Sequence, residues 1–323
     1  MAKSAQSLRG KTASPEARNV IDSRRLLYFY HVGRMRSFSV AASFLGIAQP
    51  ALSRQIQQLE SDLGVQLLAR NGRGVSLTES GTILHRQALA ILGEMSSTLE
   101  QLQVARHKPT GQISIAAPAG IMSLFMPDIV RRFIASFPEI RLTAIQAATG
   151  EVYDHLASGA VDVAIIMHPR SAQKIFCQRL TVEPLRLVVR RQHPIAKQEF
   201  VERDQLKSLK FVLPASRHGM REYIERYCEE GGIELDCNLF IDSVPLMKAL
   251  VLDLNLCAFL PKQNCDTDLD ASSFVALPLK PVLTRTVYVA SLEARSKSPF
   301  VKALIREVIS VFKEKSAEKS AAA

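Results

Sequence analysis

Residues 37–56 read Ser-Phe-Ser-Val-Ala-Ala-Ser-Phe-Leu-Gly-Ile-Ala-Gln-Pro-Ala-Leu-Ser-Arg-Gln-Ile, and this stretch decides the fold. A helix-turn-helix needs a small residue where its two helices meet, a turn-forming residue about four positions later, and an apolar anchor in the second helix. Ala42, Gly46 and Leu52 stand at these offsets. The spacing therefore predicts a helix-turn-helix, whose second helix enters the major groove of DNA.

Local signals on both sides of this stretch predict three helices. The first begins near Arg24 and ends between residues 33 and 37, because its apolar positions repeat at helical spacing. Ser37 or Ser39 is suited to cap a second helix over 40–45. The third helix is predicted over 49–63, with a proline in its first turn, where a missing N–H has no intrahelical partner to lose.

The outward side chains of the third helix suit a reader of base edges. Glutamine pairs with adenine and arginine with guanine, and each good bidentate pair contributes about 1–3 kcal/mol of discrimination. Residues 67–77 contain an Asn-Gly turn between two short extended stretches, which is typical of a hairpin that could serve as a wing. The predicted DNA-contacting residues are Arg34, Ser39, Gln49, Pro50, Ser53, Arg54, Gln57, Arg70 and Arg73.

A long helix is predicted over 78–107, and its apolar residues fall at alternating spacings of four and three. Such a heptad seam predicts pairing with a second helix, although packing on its own domain is the alternative. Thr98 is the one polar interruption. The residues of the predicted dimerisation seam are Leu84, Ala88, Ile91, Met95 and Leu102.

After a Lys-Pro-Thr-Gly break at 108–111, strands and helices alternate to the end of the chain. A strand-helix-strand-helix-strand pattern occurs twice, over 113–167 and 211–260, which favours an α/β fold with a parallel sheet. Within this part a helix is predicted over 124–137 and a strand over 185–190. A late strand is predicted over 287–291 and a last helix over 300–315. The remaining residues are expected to fray.

The chain has 323 residues and a formal net charge of +10, which is unevenly distributed. Residues 1–111 hold 14 basic and 7 acidic residues, whereas residues 112–323 hold 27 and 24. This asymmetry favours nucleic acid or another acidic partner for the first third of the chain. Residues 1–23 lack apolar periodicity and are predicted to be a disordered basic arm.

Cysteine usage and hydropathy predict a cytoplasmic protein. No apolar run approaches the ~20 residues of a transmembrane helix, and the N-terminal residues lack the apolar block of a signal peptide. Five cysteines without a CxxC or other metal-ligand spacing indicate reduced thiols. No cofactor, metal or membrane partner is expected.

These motifs resemble the winged helix-turn-helix of the LysR-type transcriptional regulators. The match is carried by Phe38-Ser39-x-Ala41-Ala42, by residues 48–56, by Leu59-Glu60-x-x-Leu63-Gly64, and by the wing through Leu77-Thr78-Glu79-Ser80-Gly81. The order of elements over 24–315 is similar to the family as well. The wing and the long helix look nearest to the branch that contains nitrogen-assimilation control regulators.

The resemblance implies a multi-domain fold with an N-terminal winged helix-turn-helix, a long linker helix and a C-terminal α/β effector domain of two periplasmic-binding-protein-like subdomains. The expected boundaries are arm 1–23, DNA-binding domain 24–81, linker helix 78–107, effector domain 112–315 and tail 316–323. Subdomain I would hold 112–181 and 285–315, and subdomain II would hold 182–284.

The resemblance also implies function. It implies a cytoplasmic dimer or tetramer that activates or represses transcription, binds double-stranded DNA at a partial inverted repeat, and has RNA polymerase as a further candidate partner. A small organic acid is the expected effector, bound between the subdomains. By position, the expected effector-binding residues are Pro118, Ala119, Gly120, Ser123, Thr149, His168, Ser216, Arg217 and His218.

Elementary chemistry supports this cleft, since strand-to-helix loops converge at the ends of parallel strands and helix N-termini offer free N–H groups to an anion. Arg217 could bind a carboxylate bidentately. Many family members carry Ser or Thr at 118–120, so side-chain hydroxyl donors are scarce here. Asp253 and Asn255 stand where glycine is common. Both types tolerate left-handed backbone, so the turn is expected to survive or to change gating.

Three other function classes fit less well. An enzyme would need a catalytic motif, and no GxSxG, Walker A, GxGxxG or HExxH pattern occurs. A solute-binding protein would need an export signal and would lack residues 24–81. A sequence-independent DNA packager would not place glutamine and serine, rather than lysine, on the third helix.

Overall fold

The computed structural model describes residues 21–71, 74–105, 109–167, 174–215, 219–261 and 273–321. The chain divides into two compact units, Met1–Met95 and Ser96–Ala323, hereafter the N-terminal unit and the C-terminal unit. Among the described residues, no helix is both long enough and apolar enough to cross a membrane.

Three helices open the N-terminal unit: α1 (Ser23–Met35), α2 (Phe38–Leu45) and α3 (Gln49–Leu63). The side chains of Asp22 and Ser37 accept hydrogen bonds from N–H groups in the first turns of α1 and α2. Gly46 and Gly64 end α2 and α3 with φ of 66° and 68°, a left-handed backbone that glycine takes without steric cost. Helix α2 starts two residues earlier than predicted because Ser37 is its cap.

A shared apolar core fixes the turn between α2 and α3. Ala42 is 3% exposed and Leu52 is fully buried. They pack in one cluster with Phe29, Ile56 and Leu59, so all three helices contribute to it. Ala42 and Leu52 are therefore buried where the two helices meet, as their spacing predicted, and the helix-turn-helix is confirmed.

The hairpin consists of β1 (Leu68–Asn71) and β2 (Gly74–Leu77), which pair antiparallel. The Glu60 carboxylate on α3 accepts hydrogen bonds from the N–H groups of Leu67 at 2.8 Å and Leu68 at 3.0 Å. The long helix α4 (Glu79–Ala105) follows. A Cβ on Gly81 would lie 1.9 Å from the Leu67 carbonyl oxygen, so only glycine allows α4 to start this close to the hairpin.

The C-terminal unit contains the predicted duplication. Its first copy is β3 (Gly111–Ala117), α5 (Ala119–Leu124), α6 (Met126–Ser136), β4 (Ile140–Gln146), α7 (Thr149–Ala157) and β5 (Val163–Ile166). Its second copy is β8 (Lys210–Leu213), α8 (Met220–Glu229), β9 (Asp236–Phe240), α9 (Val244–Asp253) and β10 (Ala258–Pro261). In both copies the first strand lies parallel between the second and the third.

Two long strands connect the copies. Strand β6 (Ile175–Arg190) pairs antiparallel with β12 (Thr284–Leu292) over its first part and with β10 and β11 (Phe274–Lys280) over its last part. The short β7 (Val201–Glu202) adds to β11. The sheet order is β4-β3-β5-β12-β6-β11-β7 with β10 also on β6, so the sheet is mixed rather than parallel as predicted.

Two separate apolar cores show the division into two subdomains. One core is built from the first copy together with β12 and helix α10 (Pro299–Ala321). The other lies on the second copy, with β6, β7 and β11. Since β6 and β12 run between them, the subdomains are joined by continuous strands.

Some elements differ from their predicted form. The helix predicted over 124–137 corresponds to α6. Helix α5, which ends at the break at Phe125, was not predicted. Strand β6 begins ten residues before its predicted start at 185. The expected fraying after residue 315 is wrong, because α10 continues to Ala321 through residues of high helix propensity. Strands β7 and β11 were not predicted.

Candidate nucleic-acid interface and effector cleft

Helix α3 presents two exposed flanks on either side of Arg54. Successive residues turn by about 100°, so Gln49, Pro50, Ser53 and Gln57 share one flank, opposite the buried Leu52, Ile56 and Leu59. On this flank Gln49, Pro50 and Gln57 are exposed, as is Arg54, and Ser53 is half-buried. The structure therefore brings the predicted reading residues of α3 together on one surface.

The other flank of α3 is occupied by bonds within the chain. Arg25 on α1 donates to the Gln55 side chain at 3.2 Å and pairs with Asp62. Gln58 donates to Asp62 at 2.8 Å. These bonds hold α3 against α1, and the flank that carries Gln49 and Gln57 is the one left for a partner.

The Ser39 hydroxyl on α2 donates to the Gln49 side chain at 3.3 Å. Both residues belong to the predicted DNA-contacting set. Their hydrogen bond connects the first turn of α2 to the first turn of α3. It also orients the Gln49 amide before any partner arrives.

Arg34 is half-buried, and its guanidinium lies 5.5 Å from the centre of the Phe44 ring. The His31 ring packs on the same phenylalanine at 4.8 Å. Burial, and to a smaller extent the positive charge of Arg34, together lower the pKa of His31 to about 4. His31 is therefore neutral at pH 7. Sequence analysis gave no role to His31 or Phe44, since a single aromatic residue on α2 carries no motif.

His85 on α4 donates from Nε2 to the Tyr30 carbonyl at 3.1 Å and stacks on the Tyr30 ring. Burial is the main cause that lowers the pKa of His85, with a smaller opposing effect from this hydrogen bond. The contact fixes the start of α4 against α1 within the N-terminal unit.

Of the two arginines predicted on the wing, only the Arg70 backbone lies among the described residues. Arg70 lies in β1, but its side chain is outside the described part of the structure, and so is the whole of Arg73. Their predicted contacts with DNA stay predictions.

The predicted seam of α4 divides into two parts. Ala88 is fully buried against Leu26 and Tyr30 of its own chain, and Leu84 packs partly on the same cluster. The structure thus corrects the place of Ala88, which packs on its own domain and is not open to a second chain. Ile91 is 42% exposed and Leu102 is 58% exposed, and Met95 between them is also exposed. The exposed Leu99 lies one turn from both Met95 and Leu102 and extends this stripe.

Within the C-terminal unit, the last part of α4 is held by buried charges that were not predicted. Arg295 donates to Glu100 on α4 at 2.7 Å and to Asp162 at 3.0 Å. Ser298 donates to the same glutamate, and Ser114 donates to Asp162 at 2.9 Å from both its N–H and its hydroxyl. No local signal marks Glu100, because its cationic partner lies 195 residues away in the sequence.

The predicted effector residues of subdomain I lie at the N-terminal ends of two helices. Pro118 is the cap residue of α5, and Ala119 and Gly120 form its first turn. Thr149 opens α7, whose cap residue Ala148 donates its N–H to Glu151 at 3.1 Å. The Ser123 hydroxyl donates to the Ala119 carbonyl at 3.0 Å, so Ser123 is engaged within α5.

The two subdomains touch beside Thr149. Gly219, just before α8, has a φ of 95°, and a Cβ placed on it would lie 2.5 Å from the Thr149 methyl carbon. The Tyr223 hydroxyl on α8 donates to the Met167 carbonyl at 2.7 Å. This contact brings one predicted effector wall against the other subdomain.

The remaining predicted effector residues, His168, Ser216, Arg217 and His218, lie outside the described residues. The neighbouring Ala215 donates its N–H to the Asp242 carboxylate at 3.0 Å. Asp242 was not predicted, and it places a carboxylate near the segment that leads to Arg217.

The two positions expected to need left-handed backbone behave differently. Asn255 has a φ of 55°, as predicted. Asp253 does not, because it is the last residue of α9. The turn therefore survives through one left-handed asparagine.

A second buried ion pair lies on the strands that join the subdomains. Arg285 on β12 donates to the Glu183 carboxylate on β6 from Nη2 at 2.7 Å and from Nε at 2.9 Å. Both side chains are buried. Sequence analysis missed this pair, since 102 residues separate its members.

Similarity to known proteins agrees with this geometry. Residues 23–82 match the family described as "Bacterial regulatory helix-turn-helix protein, lysR family", and residues 106–313 match the "LysR substrate binding domain". The DNA-binding transcriptional dual regulator OxyR of Escherichia coli (strain K12) is 27% identical over 265 residues, which cover 82% of this chain and 87% of that protein. The uncharacterized HTH-type transcriptional regulator YybE of Bacillus subtilis (strain 168) is 26% identical over 291 residues, 90% of this chain and 99% of that protein.

Solved structures share the fold. A full-length OxyR variant from Pseudomonas aeruginosa has a TM-score of 0.73 at 20% identity, covering 90% of this chain and 98% of that one. Full-length CbnR complexed with its target DNA has a TM-score of 0.55 at 21% identity, covering 90% of this chain and 99% of that one. Neither family match separates branches, so kinship with the nitrogen-assimilation-control branch stays a prediction. The two family matches span most of the described residues, and this chain belongs to the LysR family of DNA-binding transcription regulators with an effector-binding domain, which are not enzymes.

Proposed function

We propose that α3 reads bases in the major groove through Gln49, Arg54 and Gln57, while Pro50 and Ser53 contact the groove wall. The observation that carries this proposal is the asymmetry of α3. One flank is bonded to α1 through Arg25, whereas Gln49 and Gln57 on the other flank are exposed, with Gln49 oriented by Ser39 of α2. Glutamine and arginine are suited to adenine and guanine edges.

The remaining predicted contacts would position the unit on DNA rather than read its sequence. Ser39 on α2 and Arg34 at the end of α1 would lie near phosphates, and Arg70 and Arg73 would act from the hairpin. Contacts with phosphates fix register and orientation but carry no base information.

The experiment compares Arg54→Ala with Gln58→Ala, a change on the bonded flank of the same helix. Both variants are tested against the operator selected by the wild-type chain from a random DNA library. Arg54→Ala should weaken operator binding by about 1–3 kcal/mol and relax base preference at one position, because it removes one bidentate base contact. Gln58→Ala should keep the wild-type preference. An unchanged preference in Arg54→Ala would reject the reading role.

We also propose that the regulator acts in the cytoplasm as a dimer or tetramer on a partial inverted repeat, as activator or repressor, with RNA polymerase as a further partner. The exposed stripe of Ile91, Met95 and Leu102 supports pairing of α4 with a second copy. Two recognition helices would then meet half-sites about one helical turn apart. Leu102→Arg should reduce the mass measured by light scattering, and an unchanged assembly would exclude this stripe.

For the effector domain we propose residues 112–315, with subdomain I formed by 112–181 and 285–315 and subdomain II by 182–284. A small organic acid would bind between them at Pro118–Gly120, Ser123 and Thr149, together with His168, Ser216, Arg217 and His218. The start of α7 at Thr149 supports an anionic ligand, because the cap residue Ala148 has no side chain to accept the first-turn N–H groups, although the Glu151 carboxylate accepts the Ala148 N–H. Thermal-shift screening of small carboxylic acids against the full chain tests this, because a bound ligand raises the melting temperature by mass action.

Some relatives are named hydrogen peroxide-inducible genes activators, which raises thiol oxidation as a second signal. We propose ligand binding instead, because reaction with peroxide requires a thiolate. Burial raises the pKa of Cys228 to about 11 and of Cys257 to about 12, and it raises the pKa of Cys177 as well. Hydrogen peroxide should therefore not change DNA affinity through any of these three cysteines. A peroxide response that Cys228→Ala abolishes would contradict the proposal.

A further inference from the structure

We propose that the pocket between α1 and α3 binds a phosphate of the DNA backbone, with Arg24 as the cation that contacts it. The proposal rests on the DNA-reading role of α3, and it adds a contact that fixes how α3 lies in its groove. The pocket has a volume of about 260 Å³. Its walls include Arg24 and Tyr28 on α1, Ala51 and Gln55 on α3, and Ile47 in the turn between α2 and α3.

The pocket lies beside the surface that α3 offers to bases. Successive residues of a helix turn by about 100°, so Arg54 lies between the flank of Gln49 and the flank of Gln55. An α-helix is about 10–12 Å across with its side chains, and the major groove is about 12 Å wide, so a helix in this groove has a sugar-phosphate backbone on each side. Ser39 of α2 contacts the Gln49 flank, and the pocket lies on the flank where the second backbone would run.

Arg24 supplies the pocket with a cation that has no ion-pair partner among the described residues. Its side chain is exposed and forms no hydrogen bond with them either. The neighbouring Arg25, in contrast, pairs with Asp62. Asp22 also lines the pocket, and its carboxylate accepts the Arg25 N–H at 2.9 Å. Because a cation in the first turn of a helix opposes the helix dipole, Arg24 is not placed to stabilise α1, and a negatively charged partner gives it a role that folding does not.

Two neutral side chains add hydrogen-bond donors to the pocket. The Gln55 side-chain oxygen accepts from Arg25 Nε at 3.2 Å, which leaves the Gln55 amide N–H groups to donate outward. Tyr28 is half-buried, and its hydroxyl has no hydrogen-bond partner among the described residues. Arginine, glutamine and tyrosine are all side chains that contact phosphate oxygens in protein–DNA complexes. The donors around this pocket therefore match the oxygens of a phosphodiester, which only accept hydrogen bonds.

The pocket is open to a duplex and has room for a phosphate. Arg24 and Gln55, on its two opposite walls, are both exposed. Its volume is several times the ~30 Å³ that one water molecule occupies in the liquid, so a phosphodiester group can enter together with ordered water. Because a phosphate contact carries no base information, the pocket would fix the register of α3 without changing which bases α3 reads.

The test compares the full chain with Arg24→Gln, with Tyr28→Phe and with a control, Arg86→Gln, which removes an exposed cation of the same unit on α4. The probe is the operator duplex that the wild-type chain selects from a random DNA library. Affinity is measured by fluorescence anisotropy between about 50 and 200 mM KCl, because phosphate contacts make affinity depend on salt. The base preference of each variant is measured by the same selection.

Arg24→Gln should reduce the steepness of log K against log[KCl] by about 0.9 for each chain that binds, because one phosphate contact is lost. Per chain, the wild type would then lose about 3.5-fold more affinity than the variant over this range of salt. Base preference should stay that of the wild type, since loss of a phosphate contact weakens binding uniformly across sequences. Tyr28→Phe should weaken binding at every salt concentration without changing the slope, because a neutral hydroxyl releases no counterion. Arg86→Gln should keep the wild-type slope.

The proposal would be overturned by an unchanged slope or a changed base preference in Arg24→Gln, by an equal fall of the slope in Arg86→Gln, or by wild-type affinity of Tyr28→Phe at every salt concentration. These outcomes leave the reading role of α3 intact, because that role is tested by the base preference of Arg54→Ala. A wild-type chain that selects no operator would instead contradict the proposed function itself, so the two failures are distinguished.

Discussion

The two units of this regulator are held by interactions of different range. In the N-terminal unit the helix caps join residues three positions apart, as in the bonds of Ser37 to Val40 and Thr78 to Gly81. In the C-terminal unit the buried charges join Glu183 to Arg285 and Glu100 to Arg295, across 102 and 195 residues. A reading head can thus be built largely from local signals, whereas two subdomains around a cleft require partners that are distant in sequence.

The difference also concerns where charge is placed. Arg54 in the N-terminal unit is exposed, and α3 leaves one polar flank open. Arg285 and Arg295 in the C-terminal unit are buried and neutralised by carboxylates. Exposed cations suit a partner that arrives from solution, while buried pairs fix the geometry of strands and helices. Breaking each kind of interaction should therefore have effects of different size.

The largest effect is expected from Arg295→Ala. It would leave the buried Glu100 and the half-buried Asp162 without their cation. Breaking a buried pair in this way costs about 3–5 kcal/mol of unfolding free energy. Arg131→Ala is the control, since Arg131 pairs with Asp128 but its side chain is 75% exposed, and such pairs contribute about 0–1 kcal/mol. Urea unfolding followed by circular dichroism measures both. Equal losses would show that the long-range network is not what holds this unit.

A smaller effect is expected from Gly219→Ala, which acts on the contact between subdomains. Alanine at a φ of 95° is strained by about 1–3 kcal/mol, and its Cβ would collide with Thr149. The subdomains should move apart, so the variant should lose the thermal shift caused by an effector while still binding DNA. Gly232→Ala is the control, because Gly232 also has positive φ but its Cβ would meet open space. If both variants keep the effector response, the contact beside Thr149 does not shape the cleft.

Removing a local cap should cost less again. Ser37→Ala deletes the side chain that accepts the Val40 N–H, and loss of such a cap costs about 1 kcal/mol. Ser37→Asp should retain most of the stability, because aspartate is also a good cap. The melting temperature of the N-terminal unit, measured by thermal unfolding of the full chain, compares the two variants with the wild type. A loss as large as that of Arg295→Ala would remove the distinction between the units.

The smallest effect is a pH dependence in the N-terminal unit. Burial lowers the pKa of His31 from 6.5 to about 4, so the unfolded chain binds this proton more readily than the folded one. The stability from neutral His31 is present above pH 6.5 and is lost as pH falls from 6.5 to about 4. His31→Gln should therefore show a smaller drop in melting temperature between pH 7.5 and pH 5 than the wild type. An identical drop in melting temperature in both proteins would show that the pH dependence comes from other groups, such as His85, whose pKa is also lowered.

Prediction from sequence succeeded where the deciding residues are neighbours. Gly46, Pro50 and the apolar repeat of α3 sufficed to place the helix-turn-helix to within two residues, because caps and turns depend on side chains three or four positions away. The same reasoning located the strands of both copies in the C-terminal unit and every helix except α5. It missed β7, which has two residues, and β11, which contains Pro278. It also predicted a parallel sheet, because alternation of strands and helices does not reveal how β6 and β12 pair.

The candidate sites divide in the same way. The exposed face of α3 followed from helical periodicity, since the residues opposite Leu52 must face outward. The heptad pattern of α4 alone could not tell which apolar residues pack within the chain. Ala88 is buried by Leu26 and Tyr30, which are about 60 residues distant, whereas Leu102 is exposed.

The sequence by itself determined the elements, the reading surface of α3 and the basic segment that precedes it, because periodicity, caps and charge are properties of neighbouring residues. Only the tertiary structure decided that Arg295 joins Glu100 to Asp162, that Gly219 meets Thr149, and that β6 connects two cores. These contacts depend on which distant segments meet. That choice is made by the packing of the whole chain, and a single sequence carries no local signal for it.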